Sequence, residues 1–102
     1  MPMTLQVLYP VSDDTTFDDA YYQSSHMDLV SEHMGAHIQS QVVTKGLAGG
    51  PDTPPGFHAI ATFVFADQAA LDATLAASGP VLADLPNFTN VAPTMLIGQT
   101  YD

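Results

Sequence analysis

The sequence contains no cysteine, no arginine and no tryptophan, and Lys45 is its single basic residue apart from four histidines. Without cysteine there is neither a disulfide framework nor thiol chemistry, and a cytoplasmic location is the expectation. Nucleic acid and anionic membranes are not expected as partners, because both are bound through clustered lysine and arginine. The formal net charge of −10 also disfavours multiply charged anionic ligands.

Long apolar runs are missing as well. The longest are interrupted within a few residues, far short of the roughly 20 that a membrane-spanning helix needs. The opening stretch MPMTLQVLYP has no basic region typical of a signal peptide. Even so, 46% of the residues are hydrophobic, which is enough for a core. No repeat or linker divides the chain, so the sequence predicts one domain over residues 1–102 with a neutral or apolar small molecule as its best-suited ligand.

Hydrophobic periodicity and turn residues predict secondary structure in the order β-α-β-β-α-β. Strands are expected at Met3–Pro10, 37–46, Phe57–Phe65 and 90–100. The first helix is expected to begin at an N-cap on Thr15 or Thr16 and to end at Gly35, with a break near residues 28–31. Asp67 is the expected N-cap of the second helix, which Gly79 and Pro80 interrupt. This order is typical of the ferredoxin-like α+β sandwich, a four-stranded antiparallel sheet with helices on one face.

Both faces of the expected sheet carry apolar side chains. One face would hold Leu5, Val7, Ala59, Ala61 and Phe63. The other would hold Leu8, Ile60, Val64 and Leu96. Two helices can cover only one face, so we expect a second copy of the chain to cover the other in a closed homodimer.

Two segments of the sequence resemble the EthD family. TFDDAYYQSSHMDLV, at Thr16 to Val30, resembles its N-terminal signature, in which two tyrosines, three residues and a histidine follow an aromatic residue. ADLPNFTNVAPTMLIGQ resembles its closing segment, in which an Asp and a Pro-Asn-Phe-Thr turn lead into the last strand. The resemblance implies a dimeric α/β barrel, in which two ferredoxin-like sheets pack face to face and each protomer keeps a pocket between its sheet and its helices.

The activity that the resemblance implies is less specific than the fold. The superfamily includes cofactor-free monooxygenases, lactone isomerases, haem-degrading enzymes and stress-response proteins, and EthD relatives occur in ether and aromatic degradation. The functional candidate that carries over is His26, with Tyr22 and Tyr21 beside it. Arginine or a second lysine, which some relatives use to hold a carboxylate or a haem propionate, has no counterpart here.

His26 has a chemical and a structural interpretation. It lies four positions after Tyr22, so both side chains can share one helix face. Histidine ionises near neutral pH and suits the removal of a proton from a phenol or an activated carbon, while a tyrosine hydroxyl can stabilise the resulting oxyanion. A buried histidine that only bonds a backbone carbonyl is the alternative.

Other candidates carry weaker signals. The candidate substrate-binding residues are Tyr21, Met27, Phe63 and His58, although methionine and phenylalanine are common core residues. His58 alternates with apolar residues along its strand, and we expect it at a subunit interface or a cavity wall. His33 and His37 have the spacing of two metal ligands on a helix, but Gly35 separates them and no third ligand follows, so no metal site is predicted.

The sequence favours a small EthD-like enzyme that acts without a metal or a cofactor on an apolar or aromatic compound. The reaction class is oxidation, of the monooxygenase type, or isomerisation or decarboxylation, with His26 as the acid/base group and Tyr22 as its partner. Two alternatives stay open: a non-catalytic homodimeric protein that binds such a compound, and a haem-handling protein.

Overall fold

A single four-stranded antiparallel sheet forms the frame of the molecule. The structure, a computed structural model, describes residues 2–101. Its strands are β1 (Met3–Pro10), β2 (Ser40–Lys45), β3 (Phe57–Phe65) and β4 (Thr94–Gln99), and they lie in the order β2-β3-β1-β4. The predicted strand Phe57–Phe65 is confirmed at both ends, because its strict alternation of buried and half-buried residues matches the period of a strand.

The helical segments all lie between these strands. Between β1 and β2 the chain forms α1 (Asp19–Tyr21), a π-helical turn (Tyr22–His26), α2 (Met27–Met34) and a 3₁₀ turn (Gly35–His37). Between β3 and β4 it forms α3 (Gln68–Ala76), α4 (Gly79–Ala83) and a second 3₁₀ turn (Leu85–Asn87). The ferredoxin-like α+β architecture expected from the sequence is confirmed. Within residues 2–101 no helix is long and apolar enough to cross a membrane.

The start of the first helical region differs from the prediction. The N-cap is Asp18, whose carboxylate accepts a hydrogen bond from the Tyr21 amide at 3.1 Å, and the predicted cap on Thr15 or Thr16 is wrong. The Thr15 hydroxyl instead donates to the Ser12 carbonyl. A carboxylate is the stronger acceptor, and it also interacts favourably with the positive end of the helix dipole.

The helix departs from regular α-helical geometry earlier than predicted, and the strand that follows is shorter than predicted. A π-helical turn at Tyr22–His26 replaces the predicted break near residues 28–31. β2 begins at Ser40 rather than at residue 37, because Gly35–His37 turns as a 3₁₀ segment. The Asp67 cap is confirmed, since its side chain accepts from the Ala70 amide at 2.9 Å.

Strand register divides the sheet into a helix-covered face and an open face. Leu5 pairs with Phe63 and with Ile97, which places these three side chains on one face. The main core lies on that face between the sheet and α2, α3 and α4; its buried members are Leu5, Val30, Met34, Ala61, Phe63, Phe65, Leu71 and Val81. The face assignment expected for Leu5, Val7, Ala59, Ala61 and Phe63 agrees with this register.

The open face carries apolar residues interspersed with polar ones. Leu96, Gln6, Thr62 and Val42 form one row across all four strands. Val42 is 64% exposed and Leu96 57% exposed. Three further apolar residues of this face, Leu8, Ile60 and Val64, are half-buried.

Candidate functional site

A cavity of about 80 Å³ lies between the helix-covered face of the sheet and the helices. Its wall is apolar apart from a few side chains, and it is lined by Leu5, Val7, Tyr9, Tyr22, His26, Met27, Val30, Met34, Ala61, Phe63, Leu75, Ser78, Val81, Leu82, Leu85, Pro93 and Met95. Leu82 and Met95 line this cavity and are also exposed at the surface. The gap between α4 and the start of β4 is therefore its mouth.

His26 and Asp84 form a buried hydrogen-bonded pair at this cavity. The His26 side chain is 3% exposed and Asp84 is 6% exposed. Nδ1 of His26 lies 2.9 Å from Oδ2 of Asp84. The π-helical turn supplies His26, and Asp84 stands at the C-terminal cap of α4. Residues 58 positions apart in the sequence are thus joined in one unit.

Two further side chains hold the Asp84 carboxylate. Its Oδ1 accepts from the Tyr21 hydroxyl at 2.8 Å and from the Asn87 amide at 2.9 Å. Burial raises the pKa of this carboxyl group, but the hydrogen bonds from Asn87, His26 and Tyr21 outweigh that effect and hold the pKa below its usual value. Asp84 is therefore ionised at neutral pH and can only accept hydrogen bonds.

The ionisation of Asp84 decides which nitrogen of His26 carries the proton. Because the carboxylate has no hydrogen to donate, Nδ1 must be the donor, and in a neutral ring Nε2 then carries the lone pair. Among the described residues, every fully buried polar side-chain atom has a hydrogen-bond partner. Nε2 of His26 has no partner there, so this atom is not fully buried. Because His26 lines the cavity, we place the lone pair of Nε2 at the cavity wall.

Aromatic rings fix the plane of His26. The ring of Tyr22 stacks on it at an interplanar angle of 18°, with the centroids 5.4 Å apart. Phe88 contacts it from another side, with centroids 4.5 Å apart and an angle of 53°. These contacts and the bond to Asp84 leave the imidazole little freedom to turn, so it is held as a general base requires.

Two tyrosine hydroxyls accompany the pair at the cavity. Tyr9 and Tyr22 are buried, and their rings meet edge to face with the centroids 5.5 Å apart. Burial raises the pKa of Tyr22 to about 12. Burial and the neighbouring Tyr22 raise the pKa of Tyr9 further. Both phenols are therefore protonated at neutral pH and available as hydrogen-bond donors.

The structure brings together some of the residues that the sequence singled out. His26, Tyr22, Met27 and Phe63 all line the cavity. Tyr21, expected to bind substrate, is not part of the lining, and its hydroxyl bonds Asp84 instead.

His58, the other predicted substrate-binding residue, also lies outside the cavity lining. It stacks on Phe17 at 5.2 Å, and its Nε2 lies 2.9 Å from the Thr15 hydroxyl oxygen.

Asp84 and Tyr9 are site residues that the sequence analysis did not single out. Tyr9 was assigned only to a strand, and no local spacing connects either residue with His26. The sequence did contain one signal for Asp84. It is the second residue of ADLPNFTNVAPTMLIGQ, the segment that resembles the EthD closing motif. Its role becomes visible only once the fold brings α4 against the π-helical turn.

The described residues offer no metal site and little room for a large cofactor. No group of three or more His, Cys, Asp or Glu side chains in residues 2–101 is arranged to hold a metal ion. Nδ1 of His26 is occupied by Asp84. A cavity of about 80 Å³ cannot enclose a haem, and the chain has no arginine to bind its propionates.

Comparison with known proteins gives a consistent family and fold. The model of the EthD domain matches residues 12–91. An EthD-like protein from Ralstonia eutropha is 31% identical; the match covers 99% of this chain and 93% of that one, with a TM-score of 0.87. None of the curated proteins matches the chain.

Two more distant structures share the fold. A dimeric ferredoxin-like protein of unknown function from Thermobifida fusca is 9% identical over 98% of this chain and 92% of that one, with a TM-score of 0.65. SnoaB, a cofactor-independent oxygenase from Streptomyces nogalater, is 11% identical over 99% of this chain and 93% of that one, with a TM-score of 0.64. Identities this low support a common fold and no more.

Proposed function

We propose a function from one premise: the chain belongs to the EthD family. The protein is a small acid/base enzyme that removes a proton from a neutral apolar or aromatic compound, with His26 as the base and Tyr22 as the partner for the developing oxyanion. The observation that carries the proposal is the buried His26–Asp84 pair, whose free nitrogen is open at an apolar cavity. No metal or organic cofactor takes part in this step.

The geometry supports the following sequence of events. A compound enters between Leu82 and Met95 and places an acidic C–H or O–H group against Nε2 of His26. The proton moves to Nε2, the electron pair of the broken bond is delocalised onto a substrate oxygen, and Asp84 stabilises the imidazolium that forms. The Tyr22 hydroxyl donates to that oxygen in a site from which most water is excluded, where a hydrogen bond is stronger than in bulk water.

The fate of the carbanion decides the overall reaction. Return of the proton to another carbon gives an isomerisation. In a decarboxylation His26 instead takes the proton of a carboxyl O–H group, CO₂ leaves while the electron pair of its C–C bond forms the enolate, and the imidazolium returns the proton to carbon. Reaction of the carbanion with O₂, which accepts its electrons, gives a hydroperoxide after protonation by the imidazolium; loss of water from it leaves a new carbonyl group, an oxidation of the monooxygenase type. The likeness to the cofactor-independent oxygenase SnoaB favours the last of these by fold analogy alone.

Isotope exchange tests the proposed step without knowledge of the natural substrate. Cyclopentanone and other small ketones are incubated in D₂O, and the loss of the α-protons is followed by NMR. We expect wild-type protein to accelerate exchange over buffer and His26→Ala to lose that acceleration, about 10²–10⁴-fold. His37→Ala, a substitution at an exposed histidine outside the cavity, is the matched control. Equal exchange with His26→Ala and wild type would contradict the proposal.

A homodimer is part of the proposal. The exposed Val42 and Leu96 on the open face of the sheet support it, as does the dimeric state of the protein from Thermobifida fusca with the same fold. Two such faces packed against each other would form the dimeric α/β barrel. A cytoplasmic location stays a prediction from composition.

A non-catalytic binding role is the second candidate. It is favoured by the cavity wall, which is apolar apart from Tyr9, Tyr22, His26 and Ser78. In that case the cavity would bind the same compounds, and the exchange rate would not exceed that of buffer. Loss of turnover in His26→Ala with retained binding separates the enzyme from the binding protein.

A further inference from the structure

The Asp84 carboxylate receives hydrogen bonds from two different parts of the chain. Asn87 lies three residues further along, and its amide donates to Oδ1 at 2.9 Å. This bond stays within one turn of the chain and does not depend on how the helices pack. Tyr21 and His26 reach the carboxylate from the first helical region, 63 and 58 positions away. These two side chains therefore connect Asp84 to the helix that carries the proposed base.

Tyr21 and His26 divide the carboxylate between them. The Tyr21 hydroxyl donates to Oδ1 at 2.8 Å, and Nδ1 of His26 lies 2.9 Å from Oδ2. Each oxygen of Asp84 is thus bonded by one of the two helical side chains. A carboxylate bonded at both oxygens cannot rotate about its terminal C–C bond without losing one of these contacts. The bond from Tyr21 therefore helps to fix the plane in which Oδ2 meets the imidazole.

The π-helical turn brings these two side chains to the same carboxylate. In a regular α-helix, residues five positions apart lie about 140° apart around the axis and point to different sides. Here the Met27 amide bonds the carbonyl of Tyr22, five residues earlier, as well as that of Ser24. This wider turn reduces the angle between positions 21 and 26. A tyrosine and a histidine that a regular helix would separate can thus bond one carboxyl group.

Packing against Phe88 supports the arrangement. The Tyr21 ring stacks on Phe88 at an interplanar angle of 19°, with the centroids 6.1 Å apart, and Phe88 also contacts the ring of His26. Tyr21 is half-buried and is not part of the cavity lining. Its hydroxyl therefore contacts the Asp84 carboxylate and not a ligand in the cavity.

We propose that Tyr21 is a positioning residue of this site: its hydroxyl fixes the Asp84 carboxylate so that Oδ2 stays on Nδ1 of His26 and the lone pair of Nε2 stays at the cavity wall. The inference rests on the proposed function, since it takes His26 as the base. Tyr21 acts through Asp84 and takes no part in the proton transfer itself. Its loss should therefore slow the chemical step and leave the binding of a ligand unchanged.

The first test compares the ring ¹⁵N chemical shifts of His26 in Tyr21→Phe and wild type, at a pH where the ring is neutral. Phenylalanine keeps the ring that packs on Phe88 and removes only the donor to Oδ1. We expect the ratio of the tautomer protonated at Nδ1 to the tautomer protonated at Nε2 to fall about 2- to 12-fold. The loss is partial because Asn87 still donates to Oδ1.

Tyr101→Phe, at a fully exposed tyrosine, is the matched control and should keep the wild-type tautomer ratio. If Tyr21 only joined two helical regions, Tyr21→Phe would lower the melting temperature and leave the tautomer ratio unchanged. That result would overturn the inference.

The second test separates kcat from KM in the exchange of the α-protons of cyclopentanone in D₂O. We expect Tyr21→Phe to lower kcat about 2- to 12-fold and to leave KM at the wild-type value, because Tyr21 does not line the cavity. A loss of kcat/KM that came from KM alone would overturn the inference. The proposed function fails instead if His26→Ala exchanges as fast as wild type. Since the tautomer ratio is measured without a substrate, the two failures are distinguishable.

Discussion

The Asp84 carboxylate decides which nitrogen of His26 carries the proton. In Asp84→Asn the new amide can donate to Nδ1 of His26 and would favour the ring with its proton on Nε2, which then has no lone pair for the substrate. We expect the rate of α-proton exchange to fall by about 10²–10⁴-fold. The measurement is the NMR exchange assay in D₂O.

Asp72→Asn is the matched control for this change. Asp72 is exposed, and its carboxylate accepts a bond from Gln68 one helical turn away. We expect no loss of exchange rate in this variant. If both substitutions lowered the rate equally, the effect would come from the change in net charge and not from the orientation of His26.

The buried tyrosines make stability depend on alkaline pH. The pKa of Tyr22 is raised from 10.0 to about 12 in the folded protein. A raised pKa means that the folded state holds this proton more tightly than the unfolded state. The stabilisation of the folded state by this proton is complete below about pH 10 and is lost as the pH rises towards 12. The free energy of unfolding then falls by about 2–3 kcal/mol.

We therefore expect the free energy of unfolding to fall between pH 10 and 12, with a shallower fall in Tyr22→Phe. Chemical denaturation at a series of pH values measures both slopes. The remaining slope of the variant would reflect Tyr9, whose pKa is raised as well. A profile that is equally steep in the two proteins would contradict the burial of the Tyr22 hydroxyl.

Half of the proposed catalytic unit could be predicted from the sequence. Tyr22 and His26 are four residues apart, and a helical period places such residues on one face whatever the rest of the chain does. Asp84 could not be assigned a role in this way, because its contact with His26 spans 58 positions and depends on how α4 packs. Tyr21 does not follow its neighbour Tyr22 into the cavity lining, because adjacent residues on a helix point in different directions, and its hydroxyl bonds Asp84.

Among the elements, the hairpin between β2 and β3 has a strict requirement for glycine. A Cβ atom at Gly46 would collide with the backbone carbonyl oxygen of Phe57, and backbone cannot move aside as a side chain can. We expect Gly46→Ala to lower the free energy of unfolding by about 1–3 kcal/mol. Gly56→Ala is the control, since nothing lies within 4 Å of a Cβ there. Thermal denaturation of the two variants is the measurement, and equal stability would contradict the close approach of these strands.

The strands were easier to predict than the first helical region. β3 follows a period of two from His58 to Phe65, and this pattern does not depend on how the helices pack. The π-helical turn at Tyr22–His26 carries no such signal, because the helical segments around this extra residue are too short to show a period and its shift. Its position follows from tertiary contacts that orient Tyr22 and His26 towards the cavity.

At the scale of the whole molecule, the open face of the sheet predicts assembly. We expect light scattering to give twice the monomer mass of 10.8 kDa. Replacing Val42 and Leu96 together by aspartate should give a monomer, because it would place a charge on both edge strands of the proposed interface. Leu47→Asp, at a site that is 80% exposed in a loop, should leave the dimer intact. A wild-type mass near that of the monomer at micromolar concentration would contradict the dimer.

The most direct test of the central claim is the protonation state of His26 itself. Ring ¹⁵N chemical shifts distinguish the two neutral tautomers, and the measurement needs no substrate. With Asp84 ionised and bonded to Nδ1, we predict that the neutral ring carries its proton on Nδ1 and leaves Nε2 bare, and that Asp84→Asn reverses this preference. A wild-type ring with its proton on Nε2 would contradict the account, because His26 would then present a donor to the cavity where the proposed reaction needs a base.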